Sequence, residues 1–454
     1  MNIETLFEHG SAREIGAAIA RGDTSSLQAV DWYLARIGEH DHGALAINAV
    51  RSVSPSARQE AAAADRELQA GRRRGPLHGV PYLLKDNVLT LDGSPASAGA
   101  LALRDFVPRV QATVAQRLRE AGAVLLGKTN MTEFADFVSD VMPAEFSGAG
   151  GVVRNPLGLQ YGRGQGSSVG SAAAVAARFC AFAIGSETQN SVQTPAVHSS
   201  VVGVKPTVGR VSRHGMVPLV PSQDTAGVLA VCVDDAALVL AAVAGADLRD
   251  TATLAWPGCG ADPAPDSLHG VRIGVPRRFM ADTVLNDANG EAFARVLRQL
   301  AQAGAVIVDP CDLPSAEALS QVRSCVFRTE FKAALDLFLA EHRPAGIDSL
   351  AALIAWNAQH PQAIPYGQSL LQAAQDTAGV LAAEYRADRR RDLELSLFDG
   401  IRAAMRAHRA DVLLAPMTAA AKCTGKAGAP VAAIPAGRDG AGRPFGVTLF
   451  AEPG

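Results

Sequence analysis

A glycine-dense stretch between residues 145 and 171 constrains the fold of this chain more than any other segment. Its eight glycines permit backbone angles that other residues avoid, and a loop this long inside a well-patterned chain is usually functional. The stretch feeds an apolar segment, Ser171–Phe179, that is predicted to be a helix, and then a predicted strand, Cys180–Gly185. The loop therefore enters a helix–strand unit, which favours a sheet covered by helices.

Helix–strand alternation continues on both sides of this loop. Residues 11–70 carry apolar residues at helical spacing, and residues 111–121 are predicted to form another helix. Apolar runs predict further buried strands, at Gly79–Lys85, Val124–Lys128, Val271–Val275, Ala410–Pro416, Val431–Pro435 and Gly446–Phe450. The pattern predicts one α/β domain over residues 1–454, with a central mixed sheet flanked by helices on both faces.

Composition excludes several classes of function. Of the 454 residues, 48% are hydrophobic and 19% are charged, so the chain can bury a large core. The net charge of −3 gives no electrostatic reason to expect nucleic acid or an anionic membrane as partner. The six cysteines are widely spaced and typical of a reducing cytosol, so we expect a cytoplasmic protein without metal or organic cofactor. A homodimer is one assembly that the sequence allows.

Ser191 is the first candidate catalytic residue. It follows Thr188, Gln189 and Asn190, which come after a predicted strand and are expected to form a tight turn. Successive backbone N–H groups in such a turn can converge on an oxyanion, which is often the largest contribution to catalysis of acyl transfer. The alternative is a polar strand-to-helix turn with no catalytic role.

Lys85 and the serine pair Ser167 and Ser168 could activate that hydroxyl. Lys85 ends an apolar run, and burial lowers the pKa of lysine until its neutral amine can act as a base. One of the two serines could relay a proton between Lys85 and Ser191. The alternatives are an ion pair between Lys85 and Asp86, and a serine turn or helix cap in the loop.

The segment Gly166–Gly170 also fits G-x-S-x-G, the nucleophile elbow of α/β-hydrolases, with Ser168 as nucleophile. An elbow needs a strand directly before it and an acid and a histidine downstream. A loop of Gly, Arg and Gln residues precedes this segment, and none of the downstream histidines has a suggestive setting. The sequence therefore disfavours the elbow.

Taken together, these segments resemble the amidase signature family, from about residue 10 to the end of the chain. The motifs that carry the resemblance are Gly79-Val80-Pro81, Lys85-Asp86-Asn87, Gly127–Phe134, Arg154-Asn155-Pro156, Gly203–Gly209, Ile434–Gly437 and Phe445-Gly446-Val447. The resemblance implies the amidase signature fold and hydrolysis of a small-molecule amide. It also implies a signature core at about residues 75–235 and a helical, substrate-shaping part at about residues 270–410.

The resemblance further implies a Ser–cisSer–Lys triad and the role of each member. Ser191 corresponds to the nucleophile, Ser167 to the relay serine after a cis Gly166–Ser167 peptide, and Lys85 to the base. The oxyanion hole corresponds to backbone N–H groups of Thr188, Gln189, Asn190 and Ser191. The acyl-enzyme on Ser191 is then hydrolysed by water.

The chain departs from the family pattern around the nucleophile. Gln189 and Asn190 replace the usual residues before Ser191, and Asn190 is expected to hold the turn because asparagine tolerates positive φ. Gln193 and Thr194 stand where many members carry a carboxylate-binding arginine, which predicts an uncharged acyl part. With Ser168, they are the substrate-binding candidates. Two alternatives stay open: a glutamine-hydrolysing subunit of an amidotransferase, and a catalytically degenerate structural subunit.

Overall fold

The computed structural model describes residues 2–43, 45–256, 267–280 and 287–454. These residues form strands β1 Val50–Val53, β2 Pro81–Lys85, β3 Val124–Thr129, β4 Phe146–Ser147, β5 Gly151–Val152, β6 Phe182–Glu187, β7 Val202–Lys205, β8 Thr225–Ala230, β9 Arg272–Gly274, β10 Val306–Val308, β11 Val412–Pro416, β12 Val431–Arg438 and β13 Pro444–Phe450. Their α-helices are α1 Ile3–His9, α2 Ala12–Arg21, α3 Ser26–Arg36, α4 Ala57–Gln69, α5 Thr113–Glu120, α6 Val169–Ala176, α7 Gln193–His198, α8 Val233–Val243, α9 Asp287–Gln302, α10 Ala316–Gln321, α11 Val326–His342, α12 Leu350–Gln359, α13 Ser369–Gln375, α14 Ala383–Leu393, α15 Ala403–His408 and α16 Ala421–Ala427.

One mixed sheet organises the molecule. Its eleven strands run in the order β1-β3-β2-β6-β8-β7-β12-β13-β11-β9-β10, and β4 pairs with β5 separately. Strand β2 is parallel to β3 and β6, whereas β8 is antiparallel to both β6 and β7. The predicted α/β fold, a mixed sheet flanked by helices, is thereby confirmed.

The N-terminal region is helical, as predicted, but it also contains a strand. Ser11 begins α2 with a capping box, in which its hydroxyl accepts from the Glu14 N–H and the Glu14 carboxylate accepts from the Ser11 N–H. The prediction was wrong at β1, where Val50 pairs with Thr129 at the edge of the sheet. Four residues are too few to outweigh the helical pattern around them.

The core lies in three apolar clusters. The largest packs β2, β3, β6 and β8 against α2 to α6 and α8, a second surrounds β11 and β13, and the third joins α11 to α13 to the loops after β2 and β3. No helix among the described residues is long and apolar enough to cross a membrane.

Two neighbouring parallel strands bring the polar segments together. Leu84 of β2 lies beside Ile184 of β6, so both strands deliver their C-terminal residues to the same edge of the sheet. Strand β6 runs two residues further than predicted, to Glu187. Helix α6 begins after Ser168 and helix α7 begins after Val192, so both serine loops end at this edge.

Candidate active site

Lys85 is the centre of a buried polar cluster. Its Nζ lies 2.7 Å from Ser167 Oγ, 2.9 Å from Ser168 Oγ and 2.9 Å from Ser186 Oγ. It also lies 3.1 Å from the carbonyl oxygen of Ser186, and the lysine is fully buried. The structure therefore brings together three of the predicted residues, Lys85, Ser167 and Ser168.

The surroundings of Lys85 favour its neutral form. Burial lowers the pKa of Lys85 to about 7, although the negative charges of Glu187, Asp224 and Asp136 act in the opposite direction. A neutral amine has a lone pair, so one neighbouring hydroxyl can donate a hydrogen bond to Nζ. Ser168 Oγ is 3.1 Å from the Ser186 carbonyl and can donate to it, which leaves Ser167 as the closest hydroxyl for the lone pair.

The alternative ion pair between Lys85 and Asp86 does not form between these two described residues. The Asp86 carboxylate instead accepts from Ser97 and lies 3.1 Å from Arg51 Nε. Consecutive residues of a strand point to opposite faces of the sheet, so Asp86 is directed away from the serine cluster. Its negative charge is matched by Arg51, which leaves Lys85 without a carboxylate partner.

Ser167 is held by close packing around the residue before it. The Gly166–Ser167 peptide is cis. A Cβ on Gly166 would collide with the Thr132 hydroxyl and lie 3.0 Å from the Ala144 carbonyl oxygen, so only glycine fits there. The Thr132 N–H donates to the Ser167 carbonyl at 3.1 Å, and the Ser167 side chain is fully buried.

Ser191 lies beside this cluster at the end of a polar turn. Its carbonyl accepts from the Ser168 N–H at 3.0 Å, which ties the two serine loops together. The residue Ser191 is 5% exposed, whereas Ser167 and Ser168 are fully buried. Of the three serines, Ser191 is therefore the one that a molecule from solvent can reach.

Glu187 fixes the shape of the turn that carries Ser191. One carboxylate oxygen accepts from the N–H groups of Val192 at 2.6 Å and Gln193 at 2.9 Å, and the other accepts from the Gln193 side-chain amide at 2.8 Å. The backbone N–H groups of Gln189, Asn190 and Ser191 donate to no other group in the described part of the chain. Unpaired N–H groups are rare inside proteins, so these are available to a ligand.

The side chains of the turn make further bonds. The Thr188 hydroxyl donates to Asp224 at 2.5 Å, and the Asn190 amide donates to the Gly164 carbonyl at 2.6 Å. Asn190 does not have positive φ, so the prediction that it holds the turn in a left-handed conformation was wrong. The side-chain amide of Asn190 holds the turn instead, by linking it to the glycine loop.

The three substrate-binding candidates are all buried in hydrogen-bonded positions. Ser168 contacts Lys85 and Ser186, and the Gln193 amide nitrogen donates to Glu187 and to the Gln189 carbonyl. Thr194 Oγ1 lies 3.2 Å from Thr418 Oγ1. Within this arrangement all three side chains support the loops around the serines.

A cavity of about 210 Å³ opens beside the cluster. Asn87, Ser186 and Thr188 line it together with five apolar residues, Met216, Val217, Pro218, Leu219 and Pro221. Its lining also includes four charged residues, Arg213, Asp224, Arg249 and Asp250. Asn87 also donates its amide to Ser186 Oγ at 3.0 Å, while its side-chain oxygen is buried and has no partner among the described residues. The cavity is large enough for a small amide and combines apolar with charged lining residues.

Sequence reasoning missed Ser186, Asn87, Glu187 and Asp224 as members of this site. Asn87 directly follows Lys85-Asp86 in one of the family motifs, and Ser186 and Glu187 directly precede the predicted turn, so position gave a signal for these three. Asp224 lies 36 residues from Thr188, and only the antiparallel pairing of β6 with β8 brings it there.

A metal centre has little support among the described residues. Cys325, Glu384 and Asp388 place potential ligand atoms within 4.8 Å of one another. The two oxygens of Asp388 already accept from the Cys325 N–H at 2.8 Å and from Arg391 at 2.7 Å. The cluster therefore carries no argument for an ion.

Comparison with known proteins decides the family. The Amidase family model matches residues 28–427. The chain belongs to the amidase signature family. A probable amidase of Arabidopsis thaliana is 32% identical over 98% of this chain and 88% of its own length. One component of the glutamyl-tRNA(Gln) amidotransferase of Halorhodospira halophila is 41% identical, over 67% of this chain and 60% of that protein.

Solved structures of the family share the whole fold. The peptide amidase from Stenotrophomonas maltophilia is 37% identical, with a TM-score of 0.90 over 98% of this chain and 94% of that one. An amidase family protein from Bacillus anthracis is 30% identical, with a TM-score of 0.90 over 99% and 89% of the two chains. Like the amidases it resembles, this amidase signature protein is a hydrolase of amide C–N bonds.

Proposed function

We propose that the protein cleaves a linear carboxylic amide to an acid and ammonia or an amine, through an acyl-enzyme on Ser191. The observation that carries the proposal is the buried contact between Lys85 and Ser167, 2.7 Å long, in surroundings that lower the pKa of the amine to about 7. A neutral amine beside a chain of hydroxyls is the base that a serine nucleophile needs when no histidine is present.

The proton path runs through Ser167. Lys85 takes the proton of Ser167 as Ser167 takes that of Ser191, and Ser191 Oγ forms a bond to the amide carbonyl carbon. The same chain returns the proton to the leaving nitrogen as the C–N bond breaks. Water then attacks the ester on Ser191, releases the acid and restores the hydroxyl.

The oxyanion is assigned to the unpaired N–H groups of Gln189, Asn190 and Ser191, with Thr188 at the start of the same turn. Glu187 supports this assignment, because its three accepted hydrogen bonds hold the turn open. Ser168, Gln193 and Thr194 support these loops, and the acyl group occupies the cavity lined by Asn87 and Pro221.

In this proposal the signature core at residues 75–235 carries out catalysis, and the helical part at residues 270–410 shapes the pocket. The Glu330 carboxylate of α11 accepts from the Ser222 N–H at 2.8 Å and from the Tyr385 hydroxyl at 2.9 Å. Helices α11 and α14 thereby support the loop that carries Pro221 and Asp224 into the cavity wall. The cytosolic location, the homodimer and the lack of a nucleic-acid partner stay predictions.

Hydroxylamine capture tests the acyl-enzyme. A small neutral amide is incubated with the protein and hydroxylamine, and the products are separated. Because hydroxylamine attacks a seryl ester in competition with water, we expect both the acid and the hydroxamate, and neither with Ser191→Ala. An acid product without hydroxamate at any hydroxylamine concentration would argue against an ester intermediate.

A glutamine-hydrolysing role is the second candidate, supported by the 41% identity to an amidotransferase component. It predicts poor release of ammonia from free glutamine by the isolated chain and a large increase with partner subunits. Efficient hydrolysis of simple amides by the chain alone, with glutamine a poor substrate, contradicts it.

A further inference from the structure

Asp136 is a carboxylate beside the reaction centre to which the proposed mechanism gives no role. It ends a short segment, Phe134-Ala135-Asp136, in which all three residues have positive φ, of 43°, 57° and 72°. The Phe134 N–H donates to the Ala98 carbonyl at 2.8 Å, and two residues before the segment the Thr132 N–H donates to the Ser167 carbonyl. Ala135 lines the same cavity as Ser186 and Thr188. Asp136 therefore directly follows a residue of the cavity wall.

The Asp136 carboxylate is unpaired. Within the described part of the chain its side chain makes no hydrogen bond or ion pair, although it is only partly exposed. Burial raises the pKa of Asp136 to about 7, the negative charge of Glu145 raises it further, and the positive charge of Lys85 lowers it. Because this carboxylate is partly exposed and has no partner among the described residues, its oxygens can accept hydrogen bonds from a ligand.

Other charged groups around the cavity already have partners. Arg213 binds Asp250, with Nε 2.8 Å from the carboxylate, and Arg249 lies 2.9 Å from Asp247. Asp224 accepts from the Thr188 hydroxyl and from the N–H groups of Leu219 and Val220. A charged substrate would therefore meet Asp136 as the carboxylate with free acceptor oxygens.

We propose that Asp136 is a specificity determinant that binds a protonated amine, so that preferred substrates carry an ammonium group next to the scissile amide. An unprotected α-amino-acid amide has this chemistry. The proposal rests on the role of Ser191 proposed above. The proposal replaces the expectation of an uncharged acyl part. It also excludes substrates with a free carboxylate near the reacting carbonyl, because the negative charge of Asp136 would repel that group.

The test compares two amides of equal shape, leucinamide and 2-hydroxy-4-methylpentanamide, in which a hydroxyl replaces the ammonium group. Asp136→Asn removes the charge, and asparagine tolerates the left-handed backbone at this position. Glu317→Gln, at an exposed position of α10, is the control for loss of one negative charge. Values of kcat/KM are measured at pH 7.5, together with protection of Ser191 from a small fluorophosphonate.

We expect wild type and Glu317→Gln to favour leucinamide by about tenfold or more, because a hydrogen bond between charged groups discriminates by that factor. Asp136→Asn should abolish the preference and change the hydroxy amide less than about threefold. The two amides should protect Ser191 from the fluorophosphonate in the same order of strength, and this measurement needs no turnover.

Equal use of the two amides by wild type, or a leucinamide preference that survives Asp136→Asn, would overturn the proposal. An equal loss of both activities in Asp136→Asn would also overturn it, since that assigns Asp136 a structural role. Failure of the fluorophosphonate to label wild type contradicts the proposed role of Ser191 instead, so the two failures are distinguishable.

Discussion

The ionisation of Lys85 sets the pH at which Ser191 becomes reactive. Only the neutral amine can accept a proton, and burial lowers its pKa to about 7 from an ordinary value of 10.5. For a single group of this pKa, about 9% is neutral at pH 6 and about 91% at pH 8. The rate of reaction at Ser191 should therefore rise about tenfold between pH 6 and pH 8. This rising part of the pH–rate profile, the acid limb, should lie about three pH units lower than for an exposed lysine.

The assay is the rate of covalent labelling of Ser191 by a small fluorophosphonate between pH 5.5 and pH 9. Asp136 has a similar pKa, so Asp136→Asn separates the two groups. If the limb belongs to Lys85, it persists in this variant and moves to lower pH, because a negative charge that stabilised the ammonium form is gone. A limb that vanishes in Asp136→Asn, or a flat wild-type profile, would refute the assignment to Lys85.

Two substitutions test the supports of the site by urea unfolding and by labelling rate. Glu187→Gln should lower the free energy of unfolding by about 3 kcal/mol, since an amide nitrogen would face N–H donors. The control Glu317→Gln should change the free energy of unfolding by less than about 0.5 kcal/mol. Similar values for the two variants would contradict this prediction. Gly166→Ala should cost about 1–3 kcal/mol and slow labelling, because its Cβ meets Thr132 and the Ala144 carbonyl. Gly290→Ala, in open space on α9, should stabilise slightly, and equal effects of the two glycine changes would count against the packing argument.

Sequence patterns predicted seven strands of the main sheet, because long apolar runs have few alternatives. The strands that carry Lys85 and the Ser191 turn, β2 and β6, begin with apolar runs, and their type follows directly from that pattern. Strands β1, β4, β5, β7 and β10 were missed, since strands of two to four residues exist only through their neighbours in the sheet. Strand β8 was missed as well, although its six residues are all buried.

For the site, too, features with a local signal in the sequence were predicted, and features that depend on long-range contacts were not. Lys85, Ser167 and Ser168 were predicted from local setting and from the family resemblance, and the structure places them in one cluster. The support from Asn190 was misjudged, because its bond to the Gly164 carbonyl depends on how two loops meet. Asp136 gave no signal, since its significance is the absence of a partner, which only the packed structure reveals.

The most direct test of the central claim is the intact mass of the protein after exposure to a small fluorophosphonate, for wild type and for Ser191→Ala. Circular dichroism of both proteins checks that each is folded. The account predicts a single covalent adduct on wild type and none on Ser191→Ala. A folded wild type without an adduct, or an adduct that persists in Ser191→Ala, would contradict the assignment of Ser191 as the activated nucleophile.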